Sequence, residues 1–146
     1  MALPNPSDLK VLVVDDHMTA RAYLEKNLKA MGFAQVDQAS STSQASEKMA
    51  TTNYSIVFLD WNMPGRTGYN FMQSCRENTA YDKVAFVIVS SESGDRYVIE
   101  ALKAGATSYI VKPAAENVLQ EHIKKVMVWL EQRAALGDST ATAVKS

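Results

Sequence analysis

The sequence lacks the paired cysteines, the charge excess and the long apolar runs that would mark several classes of protein. Its single cysteine, Cys75, cannot form an internal disulfide, so a disulfide-stabilised secreted domain is not expected. A formal net charge of -1 gives no electrostatic reason to expect nucleic acid or an anionic membrane as partner. No apolar run approaches the roughly 20 residues needed to cross a bilayer, and no secretory signal is visible. We therefore expect a soluble cytoplasmic protein.

The chain length predicts one ordinary globular domain. A chain of 146 residues buries about two-thirds of its unfolded surface when it folds. Residues 1–8 contain two prolines and a serine and are predicted to be a flexible lead-in. Residues 134–146 have little to bury and are predicted to be a disordered tail. The working domain is therefore expected over residues 9–133.

Five segments are predicted as strands of a parallel sheet. Three of them are short continuous apolar runs, a pattern typical of strands that are covered on both faces. The other two are weaker candidates, supported by their spacing between helical segments. In chain order the five segments are residues 11–14, 35–39, 56–59, 85–89 and 108–111.

Helical segments separate the predicted strands. Thr19 is a candidate start for the first helix and Gly32 a candidate end, while residues 68–77 and 95–104 fill further gaps. Apolar residues at helical spacing near the end of the chain predict a last amphipathic helix. The order βαβαβαβαβα with right-handed crossovers predicts a flavodoxin-like three-layer α/β/α sandwich. Its five-stranded parallel sheet would have the order 2-1-3-4-5, with five helices around it.

Polar side chains follow the predicted strands, at the edge of the sheet where folds of this kind bind ligands. Asp15 and Asp16 follow the first strand and Asp60 follows the third. Ser90 and Lys112 follow the fourth and the fifth. Because strands one and three are neighbours in the predicted order, the three carboxylates should converge, with a hydroxyl and an ammonium beside them.

Such a cluster of carboxylates requires additional positive charge. Two like charges about 4 Å apart repel by roughly 4 kcal/mol at an effective dielectric constant near 20, and one lysine does not offset three carboxylates. Oxygen ligands select a hard cation, and Mg²⁺ is usual where carboxylates share it with a phosphoryl group. With Asp60 as nucleophile the product would be an acyl phosphate, with Lys112 offsetting charge and Ser90 donating a hydrogen bond.

Four motifs resemble those of CheY-like receiver domains of response regulators. They are Val-Val-Asp-Asp at 13–16, Leu-Asp-Trp-Asn-Met-Pro-Gly at 59–65, Val-Ser-Ser-Glu at 89–92 and Tyr-Ile-Val-Lys-Pro at 109–113. The intervals suit this family too, with 44 residues from Asp16 to Asp60, 30 on to Ser90 and 22 on to Lys112. The resemblance covers roughly residues 9 to 131.

The resemblance implies roles for the residues around the acceptor. Asp15 and Asp16 would hold Mg²⁺ together with Asp60 and the backbone carbonyl of Asn62. Asp60 itself would be the phosphorylation site.

The resemblance also implies a switch. Ser90 would move toward the phosphoryl group and Tyr109 would turn inward behind it, reshaping the face of the fourth helix, fifth strand and fifth helix. The Lys112–Pro113 peptide bond would be cis. Ser91 is an alternative source of the hydroxyl, because strand side chains alternate in direction and only one of the two serines can face the site.

By this resemblance the chain is a stand-alone response regulator of a two-component phosphorelay rather than an enzyme, catalysing only its own phosphorylation and dephosphorylation. A histidine kinase would be the phosphodonor, a downstream protein would bind the switch face, and a phosphatase is a third candidate partner. Trp61, Asn62 and Glu92 resemble the chemotaxis branch, and no DNA-binding or enzymatic output domain is expected to follow the receiver. Asp95 and Ala114 depart from the chemotaxis pattern on the partner face, which leaves the target open.

Several residues near these motifs have simpler interpretations. His17 is expected to begin the first helix rather than to bind a metal, and His122 is expected to be solvated. Cys75 is expected to be a small packing residue of a helix. Trp61, next to Asp60, is expected to be partly exposed and to report on the site.

Other functions stay as alternatives. A phosphorelay intermediate or phosphate sink would use the same site, whereas a pseudo-receiver would be an interaction module without phosphorylation. An aspartyl-phosphate phosphatase of the haloacid dehalogenase type would need a second aspartate where this chain has His17. A flavin-binding electron carrier would place a phosphate beside Asp15 and Asp16, which would repel it.

Overall fold

The computed structural model describes residues 3–145, with side chains as far as residue 135. Its strands are β1 (Lys10–Val14), β2 (Gln35–Ala39), β3 (Ile56–Leu59), β4 (Ala85–Ser90) and β5 (Ser108–Val111). Its α-helices are α1 (Met18–Ala30), α2 (Thr42–Thr51), α3 (Gly68–Arg76), α4 (Asp95–Ala104) and α5 (Glu116–Lys145). Within this described part of the chain, none of the helices combines the length and apolar character needed to span a bilayer.

The topology of the sheet confirms the prediction. All neighbouring strands are parallel, and their order across the sheet is β2-β1-β3-β4-β5. The predicted bounds of β2, β3, β5 and α4 agree with the structure, and β1 and β4 are each one residue longer than predicted. The sequence does not predict two short 3-10 helices, Pro6–Asp8 and Thr79–Tyr81.

Local backbone chemistry sets the ends of α1. The helix begins at Met18 with His17 as its N-terminal cap residue, one residue earlier than the predicted start at Thr19. Beyond its last turn, Gly32 has a φ of 103°, in the left-handed region that glycine enters without steric penalty. The Gly32 N–H donates to the carbonyl of Lys29 at 3.1 Å. The predicted end of the helix at this glycine is confirmed.

Each face of the sheet has its own hydrophobic core, because successive side chains of a strand point to opposite faces. Val11 and Val13 of β1 pack with residues of α1 and α5, whereas Leu12 and Val14 pack with residues of α2, α3 and α4. These four side chains are at most 1% exposed. Full burial of one such side chain contributes roughly 1.5–3 kcal/mol. The continuous apolar runs therefore belong to strands covered on both faces, as predicted.

The backbone of α5 is helical as far as Lys145, past the predicted domain boundary at residue 133. The side chains after residue 135 lie outside the described part of the chain. The lead-in over 1–8 and the disordered tail over 134–146 therefore stay predictions.

Candidate functional site

The carboxyl edge of the sheet gathers the acidic residues that the sequence singles out. The parallel register of β1 and β3 aligns the last residues of the two strands, which brings the following residues, Asp15 and Asp60, side by side. Oxygen or nitrogen atoms of Asp15, Asp16, His17 and Asp60 all lie within 4.8 Å of one another. The predicted convergence of the three carboxylates is therefore present, with an imidazole added to it.

Lys112 extends from the end of β5 into this cluster. Its Nζ donates to Asp15 Oδ2 at 2.7 Å and lies 3.6 Å from Asp60 Oδ1. The side chain of Lys112 is 27% exposed, whereas those of Asp15 and Asp60 are 3% and 7% exposed. One partly accessible ammonium therefore contacts two buried carboxylates. The peptide bond from Lys112 to Pro113 is cis, as the resemblance implies.

The environment of Asp60 favours its neutral form. Burial raises the pKa of this carboxyl above its ordinary value, and the charge of Asp15 raises it further. The charge of Lys112 and a hydrogen bond from the backbone of Asn62 lower the pKa but do not reverse the shift. A cation bound beside Asp60 would favour the ionised form, which is the nucleophilic one.

Asp16 supplies the observation that tests whether the cluster fits a cation. Its Oδ1 is buried and accepts no hydrogen bond from any described residue. Nδ1 of the exposed His17 lies 3.2 Å away, within ion-pair distance but without hydrogen-bond geometry. A buried acceptor without a donor costs about 1–3 kcal/mol, and a cation with oxygen ligands would satisfy it. The carboxylate donor set therefore fits a hard divalent cation.

The two predicted switch residues are joined through one loop residue. Ser90 is fully buried, and its Oγ accepts a hydrogen bond from the Glu92 N–H at 3.1 Å. Tyr109 lies inward, 7% exposed, and its hydroxyl donates to the Glu92 carbonyl at 2.6 Å. Burial raises the pKa of Tyr109, which keeps the hydroxyl protonated as a donor. Ser91 is exposed and lines an open groove instead.

Trp61 is buried, so the expectation of a partly exposed indole is wrong. Its side chain is 8% exposed because tyrosines from α3 and α4 cover it. The ring stacks on Tyr69 with centroids 4.6 Å apart and meets Tyr97 edge-on at 5.4 Å. Tyr109 is a third neighbour at 6.3 Å. The indole, next to Asp60 in the chain, is therefore enclosed by three tyrosines, so a change at Asp60 or Tyr109 would alter its surroundings.

Two other residues lie outside the acidic cluster. The sequence-based expectation that His122 is solvated is wrong, because the residue is half-buried. Its ring turns toward β5, with Nδ1 2.7 Å from Ser108 Oγ. Burial, followed by the charge of Lys125, lowers the pKa of His122. Cys75 is buried in the core, as predicted, and burial raises the pKa of its thiol to about 11.

The sequence analysis does not single out two residues that shape the site. The guanidinium of Arg21 donates to the backbone carbonyl of Asp15 at 2.6 Å. Gly68 donates its N–H to the Trp61 carbonyl at 2.9 Å, and a Cβ at position 68 would lie 2.1 Å from the Asp60 carbonyl oxygen. The position of Arg21, one helical turn after His17, could have indicated its contact with the Asp15 carbonyl. No sequence pattern indicates the close approach of Gly68 to the Asp60 backbone, because that contact depends on how α3 docks.

An open groove of about 870 Å³ gives access to the cluster. Ala20 and Tyr23 of α1 form one wall, Ala114 lies on the other, and Asp60 and Lys112 are reached from between them. The Tyr23 hydroxyl donates to the Ala114 carbonyl at 2.6 Å, which joins the walls at one end. The acidic cluster is therefore reached past a largely apolar surface.

Comparisons with known proteins agree with the resemblance in the motifs. The model of the response regulator receiver domain matches residues 11–124. Chemotaxis protein CheY1 of Helicobacter pylori is 34% identical over 120 residues, covering 82% of this chain and 97% of that protein. Chemotaxis protein CheY of Pseudomonas aeruginosa is 32% identical over 118 residues, covering 81% of this chain and 95% of that protein.

A solved structure shows the same fold. Chemotaxis response regulator CheY4 of Vibrio cholerae superposes with a TM-score of 0.75 at 27% sequence identity, covering 81% of this chain and 98% of that chain. The family match spans well over half of the sequence, and the sheet has the order predicted for a CheY-like fold. The chain therefore belongs to the response regulator receiver domain family and is a two-component response regulator of the CheY-like type.

Proposed function

We propose that this protein is a phosphorylation switch of the cytoplasm that accepts a phosphoryl group on Asp60 from a histidine kinase. One observation carries the proposal: the carboxylates of Asp15, Asp16 and Asp60 converge within 4.8 Å, and the Lys112 ammonium contacts two of them. Buried like charges of this kind destabilise a fold, so their presence together is better explained by chemistry than by packing.

The residues at the site have distinct parts in the proposed transfer. Asp15, Asp16, Asp60 and the backbone carbonyl of Asn62 would hold Mg²⁺, which offsets negative charge on the phosphoryl oxygens. An Asp60 oxygen attacks phosphorus, forming an O–P bond, while the P–N bond to the donor imidazole breaks and its electron pair returns to the ring nitrogen. Lys112, with Nζ 3.6 Å from Asp60 Oδ1, would stabilise charge on the transferred group.

The hydrogen bonds at Glu92 support a route for the proposed switch. The Ser90 oxygen accepts from the Glu92 N–H, so the hydroxyl proton of Ser90 is available to donate to a phosphoryl oxygen. A shift of Ser90 would move residue 92, whose carbonyl accepts from Tyr109. Phosphorylation at Asp60 would in this way reach the start of α4 and the side of β5.

The output surface that we propose is the face of α4, β5 and α5. Among the described residues, seven large hydrophobic side chains are exposed, and four of them lie on these three elements. They are Ile99, Leu102, Val111 and Val128. Exposed apolar groups on adjacent elements are typical of protein-binding surfaces. The proposed partner is a downstream signalling protein, and the chemotaxis relatives favour chemotaxis-type signalling.

The groove beside α1 is the proposed docking surface for the kinase. Met18 and Tyr23, which are 71% and 45% exposed, lie on α1 near the opening that leads to Asp60. A phosphorylated histidine must approach Asp60 closely enough for in-line transfer, and this groove offers access from the protein surface.

The direct test is phosphorylation by a small donor. We expect acetyl phosphate with Mg²⁺ to add one phosphoryl group to the purified protein, detected by intact mass. The Asp60→Asn variant and a magnesium-free sample should show no adduct. Asp8→Asn, which removes an exposed carboxylate far from the cluster, is the matched control and should react like the unaltered protein.

A second readout separates a phosphoacceptor from a pseudo-receiver. In a Trp129→Phe background, Trp61 is the sole indole, and beryllofluoride with Mg²⁺ should change its fluorescence. If neither an adduct nor a fluorescence change is observed, the phosphoacceptor proposal fails and the pseudo-receiver becomes the leading function. An adduct that passes readily to a histidine on a second protein would instead indicate a phosphorelay intermediate or phosphate sink.

A further inference from the structure

A second charged pocket lies at the opposite, amino edge of the sheet. It has a volume of about 360 Å³ and is lined by the ends of α3 and α4, the turns that precede β4 and β5, and α5. Its charged side chains are Arg76, Arg133 and Asp82. The phosphoacceptor proposal uses none of these residues.

Arg76 is held in this pocket by neutral acceptors. Its Nε donates to the Gly105 carbonyl and one terminal nitrogen to the Tyr81 carbonyl, both at 2.9 Å. The other terminal nitrogen lies 3.5 Å from Thr107 Oγ1. No carboxylate of the described residues comes within 4 Å of the Arg76 nitrogens. A guanidinium has five N–H donors, so donors on Arg76 are left for a further ligand.

A second guanidinium faces the same indole. The Arg133 guanidinium lies over the Trp129 ring at 5.0 Å from its centroid, and that of Arg76 lies 5.8 Å from the same centroid. Burial, and then the charge of Arg133, lower the pKa of Arg76. The charge of Asp82 raises the pKa of Arg76, but the Asp82 carboxylate lies beyond ion-pair distance of the Arg76 guanidinium. The lining of the pocket therefore has a net charge of one positive unit.

We propose that this pocket binds a small oxyanion of the phosphate class, held between the guanidinium groups of Arg76 and Arg133. Guanidinium forks match the oxygens of phosphate in geometry and in charge. Leu102 and Trp129 add an apolar wall, which suits a phosphomonoester with a small organic group. The acidic Asp82 limits the excess charge, so the pocket favours small anions over polyanions. A bound anion would touch α5 and the end of α4, which belong to the proposed output face.

The two tryptophans of the chain give the test an internal control. We would titrate ¹⁵N-labelled protein with inorganic phosphate, without Mg²⁺ or any phosphodonor, and follow both indole N–H signals. The Trp129 signal should shift and saturate, while the Trp61 signal, beside the acidic cluster, should stay unchanged. Sodium chloride at matched ionic strength should not reproduce the shift. Inorganic phosphate and glycerol phosphate, compared in separate titrations, distinguish free phosphate from a phosphomonoester as the preferred form.

Variants of exposed residues then locate the anion without disturbing the fold. Arg133→Gln should weaken phosphate binding at least about fivefold, because it removes charge-assisted hydrogen bonds. Asp82→Asn should tighten binding. Lys103→Gln removes a nearby positive charge that does not line the pocket, and it should leave the affinity almost unchanged. The proposal is overturned if no saturable Trp129 shift occurs, if chloride produces the same shift, or if Arg133→Gln and Lys103→Gln have equal effects.

Discussion

The two edges of the sheet place buried charges in different environments. The acidic end comprises Asp15, Asp16 and Asp60 with Lys112, and its carboxylates are near one another with too little positive charge to balance them. At the arginine end, formed by the pocket around Arg76, the charged group donates to backbone carbonyls of the surrounding turns. Repulsion between carboxylates at the acidic end destabilises the fold, and such an arrangement is typical of functional sites. The hydrogen bonds of Arg76 at the arginine end connect two turns and stabilise the fold.

The largest effect is expected at the acidic end, from geometry rather than charge. In Gly68→Ala the new Cβ would lie 2.1 Å from the Asp60 carbonyl oxygen, so α3 or the loop that follows β3 must move. We expect a loss of about 3 kcal/mol in the free energy of unfolding, measured by urea denaturation, and slower phosphorylation by acetyl phosphate.

Gly94→Ala is the matched control for this substitution. A Cβ at position 94 would have its nearest contact with Tyr97 Cδ2 at 3.7 Å, an ordinary van der Waals distance. The Gly94→Ala variant should lose less than about 1 kcal/mol in the free energy of unfolding, which is the typical cost of changing a helix cap. Equal losses in the two variants would show that the close approach at Gly68 does not shape the acidic end.

The next largest effect is expected at the arginine end. Arg76→Gln should lower the free energy of unfolding by about 2 kcal/mol, because the hydrogen bonds to Gly105 and Tyr81 and the contact with the Phe86 ring are lost. Arg133→Gln, on the exposed side of the same pocket, should change it by less than about 0.5 kcal/mol. The contrast between the two edges breaks down if Arg76→Gln is neutral or stabilising in thermal or urea unfolding.

Removing a negative charge at the acidic end should raise the free energy of unfolding rather than lower it. Asp60→Asn should stabilise the protein near neutral pH by on the order of 1 kcal/mol, because it removes a buried carboxylate that Asp15 repels. The raised pKa makes ionised Asp60 unfavourable in the fold. This cost is complete above the folded-state pKa and disappears as the pH falls toward the ordinary value of 3.8.

Unfolding curves at several pH values would test this sign. The advantage of Asp60→Asn should shrink steadily as the solution is acidified, while Asp95→Asn, at an exposed position, should show no comparable advantage at any pH. A gain that is independent of pH would mean that repacking, rather than the charge of Asp60, causes the stabilisation.

The smallest effect concerns His122, a titratable group beside the start of β5. Its pKa is lowered in the fold, so stability should be lost as the pH falls through the unfolded value of 6.5. His122→Gln can keep a hydrogen bond to Ser108 but does not titrate. We expect its stability to decline less between pH 7 and 5 than that of the unaltered protein, by less than about 1 kcal/mol. Parallel declines would show that other groups cause the acid sensitivity.

The sequence predicted the sheet and the acidic cluster because both depend on local patterns. A strand covered on both faces must be apolar throughout, so runs such as 56–59 could be located without knowledge of the fold. The parallel order then placed Asp15 beside Asp60, because residues that follow adjacent parallel strands meet at one edge. These inferences use the spacing of residue types along the chain together with the usual strand order of five-stranded α/β folds.

The environment of Trp61 and His122 could not be predicted in the same way. The burial of Trp61 depends on tyrosines from two separate helices, α3 and α4. His122 is at a position whose neighbours along the helix are charged, yet its ring turns toward Ser108. Exposure of a single side chain is a property of how elements pack, and sequence periodicity does not specify that packing for isolated polar or aromatic residues.

By itself, the sequence determined which residue types stand at the ends of the strands, and hence that an acidic edge would form. Only the tertiary structure decided the distances at that edge, the close approach of Gly68 to the Asp60 backbone, and the pocket around Arg76. The physical reason is that strand character and residue spacing are encoded locally, whereas helix docking depends on contacts between residues far apart in the chain.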